Sequence, residues 1–142
     1  MRQLVRFRTP VGAYALPVES VREVRPSAGL RSLPDPMPGV AGLLDWEGEA
    51  LTVLSVLGEG KQLLVLDGGP RCFALLVDEV VEVAQRSERE IGPAPAGGSS
   101  TYVTGVMRSE GHLVPIVDAG LLWSSIGFEA DGNGGEAVPA AI

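Results

Sequence analysis

The residue types that could carry out chemistry are few in this chain and lie far apart. His112 is the only histidine and Cys72 is the only cysteine among the 142 residues. A histidine that acts as a general base needs a partner to orient it, and the sequence offers none beside His112, which follows a turn glycine. We therefore expect an exposed His112 without a catalytic role. Cys72 begins an apolar run, which predicts a buried and unreactive thiol.

The segment GEGK at residues 58–61 bears a partial likeness to a phosphate-binding loop. That motif requires a glycine five residues before its second glycine and a Ser or Thr after the lysine. Ser55 and Gln62 occupy those positions. The sequence therefore predicts neither nucleotide binding nor another cofactor.

Carboxylates recur as two pairs, Glu19 with Asp78 and Glu23 with Glu82. A metal site needs three or four suitably spaced His, Cys or carboxylate ligands, and catalytic acids would have to meet in one cleft. These acids stand at equivalent places of two similar segments, which indicates a shared structural role, and we interpret them as solvent-facing. The sequence predicts no metal site and no enzyme.

Those two similar segments indicate how the chain is built. Residues 14–24, YALPVESVREV, and residues 73–83, FALLVDEVVEV, share an aromatic residue, Ala, Leu, Val, an acid, Val and a closing Glu-Val. A second pair follows, since residues 42–55 (GLLDWEGEALTVLS) match residues 105–118 (GVMRSEGHLVPIVD). A long unit that occurs only twice favours two similar subdomains over a repeat array.

Alternating apolar residues and turn signals predict short strands joined in hairpins. The predicted hairpins pair residues 4–8 with 14–18, 42–46 with 49–54, 63–66 with 72–77, and 103–107 with 113–117. Valines at positions 18, 21 and 24 indicate a brief helical turn or a bend. Four prolines make residues 26–39 a surface loop, although a Pro-x-x-Pro ligand is an alternative. Asp118 is a suitable N-cap for a helix at residues 119–126, which Gly127 would end.

Composition excludes several classes of function. A net charge of −7 argues against nucleic-acid binding, unless folding joins Arg2, Arg6, Arg8 and Arg22 in one patch. No apolar run approaches the roughly 20 residues that cross a bilayer, so we expect no membrane insertion. One cysteine and a charged N-terminal segment are typical of a cytoplasmic protein. The Gly-rich residues 129–142 are expected to form a disordered tail.

In the order of its elements the chain resembles the CheW-like domain, the adaptor module of bacterial chemosensory arrays. The resemblance covers roughly residues 4–123 and rests on YALPVESVREV, the Leu-Pro before the Pro-rich loop, GLLDWEG, LLVDEVVEV, GVMRSEGHLVPIVD and the C-terminal Leu-Leu. It implies an all-β fold of two intertwined, SH3-like, five-stranded β-barrels with a short C-terminal helix. The domain would span residues 1–128, with subdomains at residues 62–118 and at 14–57 plus the N-terminal strand.

The same resemblance implies a non-catalytic adaptor. Such a protein bridges the cytoplasmic tip of a chemoreceptor to a histidine kinase that carries its own CheW-like regulatory domain. The receptor would lie in the groove between the barrels. Matched position by position, the receptor-groove candidates are Val21, Glu23, Gly42, Glu47 and Gly48.

One motif departs from the family pattern. The family usually has Asn-Leu-Arg-Gly where residues 45–48 of this chain read Asp-Trp-Glu-Gly. A carboxylate at Glu47 cannot make the bidentate contacts of an arginine, and it reverses the local charge. Two alternatives stay open: an adaptor that reads a different receptor, or a stand-alone protein-interaction or scaffold module that has lost standard receptor binding.

Overall fold

A computed structural model describes residues 1–68, 71–96 and 101–127. Within those ranges the chain forms eleven strands and one short α-helix. The strands are β1 (Arg2–Thr9), β2 (Gly12–Pro17), β3 (Val21–Pro26), β4 (Val40–Trp46), β5 (Glu49–Leu54), β6 (Gln62–Asp67), β7 (Cys72–Val77), β8 (Glu79–Arg86), β9 (Ile91–Pro93), β10 (Val103–Ser109) and β11 (His112–Val117). The helix, α1, is Ala119–Ser124. The predicted tail at residues 129–142 lies outside the described residues.

The strands form two sheets, and the chain passes from the first sheet to the second and back again. The six-stranded sheet has the order β8-β1-β2-β11-β10-β9, and the five-stranded sheet has the order β3-β6-β7-β5-β4. The chain leaves the first sheet after β2, returns to it at β8, and so gives each sheet strands from both halves of the sequence. The predicted all-β, intertwined fold with a C-terminal helix is confirmed, with six strands in one sheet. In the described ranges no ladder joins the outer strands of either sheet, so neither sheet closes into a barrel there.

The two sequence copies occupy equivalent places in the two sheets. Ala15 of β2 pairs in parallel with Ile116 of β11, and Ala74 of β7 pairs in parallel with Val53 of β5. The β4–β5 and β10–β11 hairpins both shift register at a bulge, which ends at Gly42 in one and at Gly105 in the other. The correspondence of the two copies is therefore confirmed by strand register. The predicted subdomain bounds assign one sequence copy to each subdomain, whereas each sheet contains strands from both copies.

The main core lies where both sheets and α1 meet. Phe7 and Phe73 are fully buried there, and the Phe73 ring lies 5.3 Å from that of Trp123. Burying side chains of this size contributes about 1.5–3 kcal/mol each. Asp118 caps α1 as predicted, because its Oδ1 accepts a hydrogen bond from the Leu121 N–H at 2.9 Å. The helix ends at Ser124, two residues before the predicted end.

The connections decide which sheet each strand joins. A 3-10 turn at Val18–Ser20 carries the chain from β2 to β3, as the valine spacing predicted. Strands β8 and β9 were not predicted, because only Asp78 separates β7 from β8 and no turn signal marks the crossing. After β8, Ser87 and Glu90 form a capping box. The Ser87 N–H that donates to the Glu90 carboxylate lowers the pKa of that carboxyl.

Candidate functional site

His112 and Cys72 lie in different sheets, His112 in β11 and Cys72 in β7. His112 is exposed at the start of β11, as predicted. The prediction of a buried Cys72 is wrong, because this first residue of β7 is only half-buried and has Arg22 Nη1 3.5 Å from its Sγ. Across the residues that the structure describes, no group of three or more His, Cys, Asp or Glu could hold a metal ion. None of those residues forms a helix long and apolar enough to cross a membrane.

The recurring acids divide into exposed and engaged groups. Glu19 and Asp78 are exposed, in agreement with the solvent-facing interpretation. Glu82 is exposed too, but it accepts a hydrogen bond at 3.1 Å from Arg6 Nε, and Arg6 is only 7% exposed. For Glu23 the interpretation is wrong, since its side chain is half-buried and accepts a hydrogen bond from a tryptophan.

That tryptophan, Trp46, joins the two outer strands of the five-stranded sheet. Its Nε1 donates to Glu23 Oε1 at 2.7 Å, from the end of β4 to the middle of β3. The Arg22 guanidinium lies 5.6 Å from the Trp46 ring centroid, within the range of a cation–π contact. We call these three residues, Arg22, Glu23 and Trp46, the Trp46 cluster. Sequence reasoning missed this contact, because 23 positions separate Trp46 from Glu23 and no local pattern marks the pair.

The five receptor-groove candidates are not equally accessible. Val21 is partly buried and packs against the main core. Gly42 is buried, and a Cβ there would overlap the carbonyl oxygen of Arg31. The Glu23 carboxylate already accepts the hydrogen bond from Trp46 Nε1. Only Glu47 and Gly48 are exposed, at the tip of the β4–β5 hairpin.

The Glu47-Gly48 turn displays its carboxylate on a constrained backbone. Glu47 has φ +53° and Gly48 has φ +85°, as a two-residue hairpin turn requires at both central positions. Asp45 Oδ1 accepts a hydrogen bond from the Gly48 N–H at 3.1 Å and closes the turn. A residue other than glycine pays roughly 1–2 kcal/mol for this left-handed conformation. The fold thus holds an acid at a position that glycine, asparagine or aspartate would fill more easily.

The β10–β11 hairpin has the same turn with different surroundings. Glu110 and Gly111 have φ +52° and +80°, and strand register places Ser109 where the other hairpin has Trp46. Arg6 of β1 occupies the place of Val65 of β6. Its Nη2 lies 3.9 Å from Glu110 Oε2, in addition to the contact with Glu82. One turn acid therefore faces a buried guanidinium, and the other does not.

A separate open cleft lies at the junction of the two sheets. Its volume is about 870 Å³, and Arg8, Val24, Arg25, Lys61 and Glu79 are among the residues that line it. None of the five receptor-groove candidates lines this cleft. Val24 is 42% exposed on β3, and Val83, its counterpart in the second copy, is 55% exposed on β8. An outer strand of each sheet thus presents one apolar side chain to solvent.

Comparisons with known proteins agree with one another. A family model described as the CheW-like domain matches residues 3–126. The chemotaxis protein CheW of Rhizobium meliloti (strain 1021) is 25% identical over 142 residues, which cover 91% of this chain and 92% of that protein. The crystal structure of the scaffolding protein TtCheW from Thermoanaerobacter tengcongensis has a TM-score of 0.77 at 20% identity, over 94% of this chain and 96% of that chain. The structural comparison supports the fold.

Proposed function

This chain belongs to the CheW-like domain family, and from that premise we propose that it is a non-catalytic adaptor that couples chemoreceptors to a chemotaxis-type histidine kinase. The observation that carries the proposal is that the family match, over residues 3–126, spans nearly all of the two-sheet fold, whose elements run from Arg2 to Ser124. The protein would act in the cytoplasm, where receptor tips and the kinase meet. Its partners would be proteins, and its surface is suited to them.

Two surface features support a role in protein binding. Val24 and Val83 are exposed on the outer strands β3 and β8, and outer strands with apolar side chains are common docking elements. The exposed Glu47-Gly48 turn presents a charged side chain at the tip of the β4–β5 hairpin. We propose that this turn, among the five groove candidates, contacts the receptor directly. Val21, Glu23 and Gly42 would shape the surface from beneath.

A second function is a stand-alone interaction or scaffold module that no longer binds standard receptors. The observation that favours it is the acid at Glu47, where the family pattern has an arginine. A like-charge clash at one position is an effective way to exclude a partner. The two functions share the fold and differ only in whether a receptor tip binds.

Titration of the purified protein against two partners tests the proposal. One partner is a chemoreceptor cytoplasmic hairpin fragment, and the other is the CheW-like regulatory domain of a chemotaxis kinase. Binding of both, measured by isothermal titration calorimetry, is the expected result. Kinase binding without receptor binding supports the scaffold function, and binding of neither contradicts both. His112→Ala is the control, because an exposed substitution usually costs less than about 0.5 kcal/mol and should leave both affinities unchanged.

A further inference from the structure

We infer that Trp46 is a positioning residue that fastens the two outer strands of the five-stranded sheet, so that Glu23 is an internal acid and Glu47 is the acid presented to partners. The inference concerns how the surface is built, and the binding experiment that tests it rests on the proposed adaptor function. It reassigns Glu23, the acid of Val-x-Glu-Val, from a partner contact to a structural hydrogen bond.

The first argument is the geometry of the seam between β3 and β4. These strands lie at opposite ends of the sheet order, and in the described ranges no backbone ladder joins them. Trp46 crosses that seam with a 2.7 Å hydrogen bond to Glu23 and with its ring beneath Arg22. The indole is only 9% exposed and packs against Leu51 and Val65. A buried indole N–H needs an acceptor, and an ionised carboxylate is a strong one.

The second argument is the number of donors that each sheet offers its acids. Arg6 has five N–H donors, and in the six-stranded sheet it reaches both Glu82 and the turn acid Glu110. An indole has a single N–H, and in the five-stranded sheet Trp46 uses it for Glu23.

The Trp46 N–H is therefore not available to Glu47, the turn acid of the five-stranded sheet. Among the residues described, no side chain makes a hydrogen bond or ion pair with Glu47. Two turns of the same geometry thus differ in what they present. Glu110 Oε2 lies 3.9 Å from Arg6 Nη2 although its side chain is 74% exposed, whereas the exposed Glu47 has no such contact within the described residues. The two hairpins differ at two equivalent positions, where Trp46 stands in place of Ser109 and Val65 in place of Arg6.

The hydrogen bond is tested by NMR on the whole chain. The protein has two tryptophans, so Trp46→Phe assigns the two indole N–H signals. We expect Glu23→Gln, which keeps an acceptor oxygen, to shift the Trp46 signal and leave that of Trp123 in place. We expect Glu47→Gln to move neither signal. A Trp46 signal that does not respond to Glu23→Gln would overturn the inference.

Carboxyl accessibility gives a second test, and its first comparison uses the wild-type protein alone. Carbodiimide coupling to a small amine, followed by peptide mass spectrometry, should modify Glu47 faster than Glu23 in the wild-type protein. Trp46→Phe should raise the rate at Glu23 and leave the rate at Glu59, an exposed acid elsewhere, unchanged. Equal wild-type rates at Glu23 and Glu47 would overturn the assignment even if Trp46→Phe fails to fold.

A binding experiment separates this inference from the proposed function. With a chemoreceptor hairpin fragment as the probe, Glu47→Gln should change the affinity by about fivefold, the effect of one exposed charge contact. Glu23→Gln should change the affinity much less. The reverse order would overturn the inference, whereas a wild-type protein that does not bind the fragment contradicts the receptor function and leaves the NMR and coupling results to decide the inference.

Discussion

At the scale of single residues, β1 and β8 contain two ion pairs of very different character. The side chain of Arg6 is 9% exposed and that of its partner Glu82 is 46% exposed, at an N–O distance of 3.1 Å. Arg8 and Glu79 form the other pair at 3.2 Å, with side chains 57% and 58% exposed. A buried guanidinium without its carboxylate keeps the full cost of desolvation, whereas an exposed pair exchanges its partner for water. The two pairs should therefore differ in their effect on stability.

Glu82→Gln and Glu79→Gln form a matched test of that difference. Both changes remove one carboxylate of an ion pair on the same strand, β8. We expect Glu82→Gln to lower the free energy of unfolding by about 1–2 kcal/mol, because the buried Arg6 loses its closest counter-charge. Glu79→Gln should cost less than about 0.5 kcal/mol. Urea denaturation measures both values, and equal losses would show that Arg6 is solvated in the folded protein.

At the scale of the elements, each bulged hairpin has a glycine where another backbone comes close. Gly42 has φ +153°, and the Arg31 carbonyl that would meet a Cβ belongs to the Pro-rich loop, which forms a β-bridge to Leu43. Gly105 stands at the same point of the β10–β11 hairpin, with the Gly92 carbonyl oxygen 3.0 Å from the Cβ position. The close approach of the Arg31 carbonyl thus gives a structural reason for a glycine at position 42.

Gly42→Ala should therefore act on folding and not on a contact with a partner. We expect a loss of about 2–4 kcal/mol in the free energy of unfolding, since the bulge must move away from the Arg31 carbonyl. Gly48→Ala is the control, because nothing lies within 4 Å of its Cβ position and only its φ of +85° opposes the change. That control should cost about 1 kcal/mol. A Gly42→Ala protein of normal stability that fails to bind a receptor fragment would assign Gly42 to the interface.

The elements that were predicted are those whose signals are local. The hairpins carry their turn residues within a few positions, as Glu47-Gly48 shows. The pairing of β3 with β6 and of β8 with β1 depends on contacts between distant segments, and no local pattern encodes it. The same holds for the candidate site. Turn chemistry predicted a hairpin turn at Glu47-Gly48, whereas the bond between Trp46 and Glu23 spans 23 positions and the burial of Gly42 depends on the loop that covers it.

At the scale of the whole molecule, charge acts both locally and over long range. The net charge of −7 repels acidic partners and attracts basic ones from any direction. A contact at the Glu47 turn adds a contribution to the binding free energy that depends on which groups of the partner face the turn. Salt screens the first effect strongly and a desolvated contact much less. Ionic strength therefore separates the general attraction from the specific one.

Glu47→Arg tests whether this turn selects the receptor. The change restores the charge of the family motif, so it should strengthen binding to a standard receptor hairpin and leave binding to the kinase regulatory domain unaltered. The gain should be roughly 1–3 kcal/mol if the contact is desolvated and much less if it stays in water. Glu59→Arg is the matched control, because Glu59 is also exposed and the variant has the same net charge.

Titrations of both variants at low and high salt distinguish the two terms. A gain in Glu47→Arg that persists at high salt and is absent in Glu59→Arg would place the receptor against this turn. An equal gain in both variants, lost at high salt, would reflect only the lower net negative charge. If Glu47→Arg binds the receptor hairpin no more tightly than the wild-type protein does, Glu47 is a turn residue, and partner selection must reside elsewhere on the surface.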